Sequence, residues 1–264
     1  ASDSCFIAVL LFRNRFAGGY HDCLVGSTQS GGAFRYTPAT MSSPRDEQTL
    51  PVFPLTGTLL LPGTYLPLNV FEDRYRNMIE DALEGDLQIG MIQPWVPGLD
   101  NWGVPPLDLR DPELYPVGCC GRISQHELQP DGRYLIVLEG LIRFRIVDEL
   151  ESVRGYRRVR ADFAEFAVDR SAEEPEVDKP GVLAVLESYA EQRDLEFDSD
   201  LLAALAGRQL INTLSTALPF SPVEKQVLLE ARSEVERASL LIRLMEMDLD
   251  SVKRPEPSSP PTIH

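Results

Sequence analysis

Apolar and polar positions along this chain follow two different periods, and the change of period divides it. Residues 50 to 76 read LPVFPLTGTLLLPGTYLPLNVFEDRYR. Pro51, Pro54, Pro62 and Pro67 interrupt the apolar runs. Proline has no backbone donor, so the runs predict short edge or entry strands joined by a turn at Leu61-Pro62-Gly63. From Phe71 the spacing becomes helical. Phe71, Tyr75, Met78, Ile79, Ala82 and Leu83 recur every three or four residues, with Glu72, Asp73, Arg74, Arg76, Glu80 and Asp81 on the other face. Asn69 is the expected cap. Leu87 to Ile92 then alternates as a strand, with Glu84-Gly85-Asp86 stopping the helix before it.

Pro94 to Pro112 is too rich in proline and glycine for regular structure and predicts a surface loop, which carries Trp95 and Trp102. Four strand-like runs follow: Leu114 to Leu128, Arg133 to Glu139, Leu141 to Leu150 and Tyr156 to Ala167, with a tight hairpin at Pro130-Asp131-Gly132. About seven short strands with little helix between them predict a closed or nearly closed barrel. Past Val168 the period is helical. Val182, Leu183, Val185, Leu186 and Tyr189 form one stripe, and Leu201, Leu202, Leu205, Leu210, Ile211 and Leu214 a second. Ser221 caps a third helix through Val223, Val227, Leu228 and Leu229, and Val235, Leu240, Leu241, Leu244 and Met245 mark the last. One-sided helices of this kind must bury their stripes against one another or against the barrel.

The blocks LPVFPL, LLLPG and LPLNVFEDRYRNMI, then Leu114-Tyr115-Pro116-Val117-Gly118, Gly121-Arg122-Ile123, Pro130-Asp131-Gly132 and Val137 through Ile146 occur in an order that resembles the Lon-protease N-terminal domain family. The resemblance runs over roughly residues 49 to 247, a span of domain size. It implies an α+β protein, a PUA-like β pseudo-barrel followed by a C-terminal helical bundle, in a freestanding substrate-binding module. The expected organisation is an extension without order or not native to the protein (1–48), a barrel subdomain (49–168), an acidic linker (169–180), a helical bundle subdomain (181–248) and a tail without order (249–264). Met41-Ser42-Ser43-Pro44-Arg45-Asp46-Glu47 reads as an ordinary polar protein start, so translation is expected to begin at Met41.

Composition narrows the function. The 264 residues are 43% hydrophobic, enough for a core, and carry a formal charge of -16 with a pI near 4.6. Such a balance repels a phosphate backbone and an anionic membrane. Cys5, Cys23, Cys119 and Cys120 form no CxxC pair and find no histidine cluster among His21, His126 and His264, so no metal site is expected and the thiols read as free, in a reducing compartment. The apolar run Cys5 to Phe12 is too short to span a bilayer, and its charges, Asp3 before and Arg13 and Arg15 after, are reversed for a secretory signal. A cytoplasmic protein is expected.

No stretch fits G-x-x-x-x-G-K-[ST], and none of Lys179, Lys225 and Lys253 follows a glycine. The Lon ATPase and its serine-lysine protease dyad belong to regions outside this sequence, so the family's catalytic activity does not transfer. His126, within Ser124-Gln125-His126-Glu127, reads as a surface histidine at a strand end rather than a general base, and an unrecognised hydrolase is the third-ranked expectation. What remains is a non-catalytic binder without cofactors, adaptor or chaperone-like. It would take unfolded or extended polypeptide in a groove between barrel and bundle through Trp95, Trp102, Tyr65 and Leu61, with an ATP-dependent protease or chaperone as the implied partner. The alternative is an RNA-binding PUA-like protein using Arg143, Arg145, Arg157, Arg158 and Arg160 as a basic face.

Overall fold

The computed structural model describes residues 35–36, 46–95 and 112–253. The expectations for the rest of the N-terminal extension, for Cys5 and Cys23, for Trp102 and for the end of the tail lie outside these residues. The β elements are β1 (Arg35–Tyr36), β2 (Glu47–Pro54), β3 (Tyr65–Val70), β4 (Gln88–Ile92), β5 (Val117–Leu128), β6 (Tyr134–Val153) and β7 (Tyr156–Asp162). Helix α1 (Asp73–Glu84) lies between β3 and β4, and a 3-10 helix (Ala164–Arg170) follows β7. Five helices complete the described residues: α2 (Lys179–Arg193), α3 (Ser199–Ala204), α4 (Gly207–Ala217), α5 (Pro222–Glu230) and α6 (Glu234–Lys253).

The seven-stranded sheet runs β1-β5-β4-β2-β7-β6-β3, and an additional β5–β6 pairing closes it on itself. The ring β5-β4-β2-β7-β6 is the barrel, with β1 and β3 added at its margins. Only β2 and β4 run parallel in it; the other pairings are antiparallel. Proline does not confine β2 to an edge as its sequence predicts, since β2 lies between β4 and β7. Its partners are offset: β7 pairs Glu47 to Val52 and β4 pairs Val52 to Pro54, so Pro51 and Pro54 each face one neighbouring strand and the missing donors break no ladder. In β3, which is a margin strand, Pro67 stands where the pattern places it.

Two predicted runs fuse into β6, whose first half pairs with β5 and β3 and whose second half pairs with β7. Gly140 makes this possible, because a Cβ there would lie 2.1 Å from the carbonyl oxygen of Leu61. The predicted turn nests against that gap, with Gly63 N–H donating to Gly140 O and the Thr64 hydroxyl bridging Leu61 N–H and O. Inside the barrel the Phe144 ring fills the space that Gly118 leaves open. Helix α1 starts two residues later than predicted. Phe71 is exposed outside it, Glu72 occupies the cap position without a side-chain bond, and Asn69 lies in β3. Tyr75, Met78, Ile79 and Ala82 are its buried stripe.

The helices pack as their stripes require, through Val182, Leu186 and Tyr189 of α2, Leu202, Leu210, Ile211 and Leu214 of α3 and α4, and Leu241 and Met245 of α6. These side chains join the barrel interior in one apolar cluster. Leu201 and Val235 depart from the predicted stripes and are exposed. Asp169, placed by composition at the start of a solvated linker, is buried against fully buried Arg143 of β6. Its carboxylate takes the Arg143 Nε–H at 2.9 Å, an Nη2–H at 2.7 Å and the backbone N–H at 3.0 Å. Arg143 Nη1 donates to the carbonyls of Leu229, at 2.9 Å, and Ala231, and the guanidinium lies over the Phe166 ring at 4.6 Å.

Asp169→Ala should cost about 3–5 kcal/mol, because it strands a buried guanidinium. Arg143→Met combined with Asp169→Ala should recover only part of that, since the α5 carbonyls stay without donors. Urea unfolding midpoints test this; a single Asp169→Ala variant as stable as the parent would contradict the role of the pair.

Candidate functional site: the joint between barrel and helices

Beyond β4 the chain remains extended for three residues. Pro94 bridges to Leu114, Trp95 N–H donates to Glu113 O at 2.6 Å, and Tyr115 N–H donates to Gln93 O at 3.0 Å. Gln93, 2% exposed, is the bolt of the joint. Its Oε1 accepts from Gly57 N–H at 3.0 Å, and its Nε2 donates to Pro222 O at 2.9 Å and to Gln226 Oε1 at 3.1 Å. Gln226 Nε2 in turn donates to Val117 O of β5 at 3.2 Å and to Glu230 at 2.7 Å. Both amides are thereby satisfied in a buried setting. Lys225 adds a bond from Nζ to Gly57 O at 2.9 Å.

Helix α5 is held by this stitching in one rotation about its axis. Ser221 and Glu224 start it with a reciprocal capping box. Gln226, Leu228 and Leu229 point inward, so Val223 and Val227, one turn apart, face solvent at 42% and 43% exposure. Trp95, 45% exposed, stands two residues beyond Gln93 and therefore on the side of the strand from which Gln93 reaches α5. Trp95 at the barrel margin and Val223 and Val227 on the helix thus each present apolar surface within a few residues of a side chain that holds the joint. The sequence pattern assigned Val223 and Val227 to the core stripe of α5; their outward position is the feature that reading missed.

Among the described residues, the predicted contacts Leu61 and Tyr65 do not gather here. Leu61 is fully buried in the core and has no surface to offer. Tyr65 opens β3 opposite Glu139, half-buried, separated from β4 by β5 and β6 in the sheet. Trp102 lies outside the described residues. Nor do the five arginines make an open basic face. Arg143 is buried on Asp169, Arg145 is forked onto Glu165 at 2.6 and 2.9 Å, and Arg157 is forked onto Glu149 at 2.5 and 2.6 Å. Arg158 donates to Glu151 O, and Arg160 pairs with Asp148 and Glu47.

Burial raises the Cys119 and Cys120 thiols, with Asp169 adding to the effect on Cys119, so both stay protonated and unreactive. His126, on β5, is held below its ordinary value by burial and then by Arg35. The arrangement is one of apolar surface on a rigid polar frame, suited to holding a ligand. Among the described residues, no helix is long and apolar enough to cross a membrane.

The architecture defines an α+β protein with a PUA-like pseudo-barrel followed by a helical bundle. The chain belongs to the ATP-dependent protease La (LON) substrate-binding domain family, whose profile matches residues 49–247. It is similar to the Lon protease of Flavobacterium johnsoniae, 27% identical over 215 residues covering 78% of this chain and 25% of that protein. The Lon protease of Xanthomonas oryzae is 27% identical over 217 residues, covering 81% and 24%. The chain therefore spans about a quarter of the length of these relatives. In fold it is similar to a Lon N-terminal domain protein from Xanthomonas campestris, with a TM-score of 0.52 and 22% identity over 74% of this chain and 98% of that one. The N-terminal domain of a Mycobacterium avium complex Lon protease gives a TM-score of 0.54 and 18% identity, covering 75% and 98%.

Lys225 gives the joint a pH signature. Burial pushes its amine down from 10.5 to about 8. Between those values the unfolded chain binds the extra proton, so the contribution of Lys225 to stability rises as pH climbs from about 8 towards 10.5 and is flat below about 8. The difference in unfolding midpoint between the parent and Lys225→Met should therefore change across that window and stay constant from pH 6 to 7.5; a pH-independent difference throughout would show that the amine is not desolvated.

Proposed function

We propose that this chain is a non-catalytic polypeptide-recognition module, an adaptor or chaperone-like binder of unfolded or extended segments. The observation that carries the reading is the exposed apolar set Trp95, Val223 and Val227 on a joint whose polar groups are already satisfied. Apolar side chains held in this way bind without having to order themselves first, which lowers the entropic cost of association. The family's substrate-binding description supports the same reading. Trp102 is proposed as a further contact, Tyr65 as a contact apart from the joint, and Leu61 is withdrawn because it is buried. An ATP-dependent protease or chaperone is the proposed partner, and the cytoplasm the proposed compartment. The RNA-binding alternative is weakened by the pairing of its arginines with carboxylates.

Trp95→Ala with Val227→Ser should reduce capture of a denatured test protein by about tenfold, the scale expected when anchor side chains are truncated. Circular dichroism and the unfolding midpoint should stay close to those of the parent, because these side chains lie outside the core. Undiminished capture by a folded double variant would remove the joint from the binding site.

A further inference from the structure

Carboxylates surround the apolar side chains of the joint. Glu113 is exposed beside Trp95, whose N–H its carbonyl accepts. Glu230 follows Val223 and Val227 at the next turn of the same α5 face and is exposed. Glu224 lies between the two valines in sequence, with one oxygen engaged by Ser221 N–H at 2.7 Å. Among the described residues, the neighbouring cations have bonding partners of their own. Lys225 points across the helix to Gly57, Arg157, which reaches Pro112 O, is forked onto Glu149, and Arg145, whose field also reaches Glu230, has its guanidinium forked onto Glu165. The rim is thus negative on a chain of formal charge -16. A ligand segment bringing lysine or arginine to that rim gains from its field, whereas one bringing Asp or Glu is repelled.

We infer that the joint selects basic, apolar polypeptide: an extended segment whose apolar side chains cover Trp95, Val223 and Val227 and whose flanking lysines or arginines meet Glu113 and Glu230. This inference deepens the polypeptide-binding reading and rests on it. The probes are three labelled peptides with one apolar centre and flanks of lysine, serine or glutamate, titrated against the full chain by fluorescence anisotropy. At low salt the lysine-flanked peptide should bind about tenfold more tightly than the serine-flanked one, and the glutamate-flanked peptide more weakly still. Adding salt should compress the series.

Glu113→Gln, which leaves the backbone bond to Trp95 and the Gln226–Glu230 contact in place, should reduce the preference and leave the affinity of the serine-flanked peptide unchanged, and adding Glu230→Gln, whose amide oxygen still accepts from Gln226, should erase the preference. Equal affinity for all three peptides would overturn the charge selection while leaving polypeptide binding standing. A lysine preference that survives the double variant would overturn it as well, by assigning the effect to net charge rather than to the rim. Failure of all three peptides to bind would overturn both readings.

Discussion

Two buried guanidinium groups close the C-terminal end of α5, and the rest of the molecule is arranged around that fact. A helix end leaves carbonyls without partners and carries partial negative charge. Helix α5 ends without a glycine cap: Ala231 turns to extended backbone, and the carbonyls of Leu228, Leu229 and Ala231 point into the protein. Arg143 reaches them from the barrel and Arg237 from α6, the latter donating to Leu228 O at 2.8 Å and to Asn212 Oδ1 at 2.8 Å. Asn212 passes the connection on to Pro62 O at 3.0 Å, in the turn before β3. Burial, and secondarily Arg143, push Arg237 down to about 10, still well above neutral, so Arg237 remains charged, while Asp169 is paired with Arg143. Separating barrel from helices would strip Arg143 of the α5 carbonyls and Asn212 of Pro62 O, which is why the two parts hold a single relative position.

That fixed position is what the proposed site depends on. Trp95 belongs to an extension of β4, and Val223 and Val227 belong to a helix more than a hundred residues later. No local rule brings them together. What does so is the Gln93–Gln226 amide contact at 3.1 Å, with the Lys225 bond to Gly57 beside it. Because these polar groups bond to one another, they neither need a ligand nor compete for one, and the outward apolar side chains are left as the available surface.

The fold was legible to the extent that each element advertised its own period. Helix α1, strand β4, the hairpin between β5 and β6 and the stripes of α2 and α4 follow alternation or helical spacing that needs no tertiary information. The failures have a common cause in pairings that no single strand encodes. The prolines of β2 read as an edge because sequence shows the missing donor and not the offset of the two neighbours that makes it harmless. Gly140 read as a break between two strands because the approach of Leu61 comes from another part of the chain. Asp169 read as linker because its acidic neighbours are solvated and its partner, Arg143, looked like one more alternating surface arginine.

The candidate site was legible only in part, for a related reason. Trp95 stood out as a large apolar residue in a proline-rich connection. Val223 and Val227 did not, because α5 carries apolar residues at 223, 227, 228 and 229, which lie around most of the helix, and periodicity cannot say which arc is buried. The buried arc is decided by Gln226, a polar residue that any hydrophobicity rule would turn outward, and by the arginines that demand inward-facing carbonyls. Polar demand at the joint thus sets the rotation of α5 and leaves two valines in solvent. An apolar surface produced in this way is a consequence of how the barrel and helices are bolted together, so any substitution that loosens the bolt also disperses the surface, even where it touches none of Trp95, Val223 or Val227.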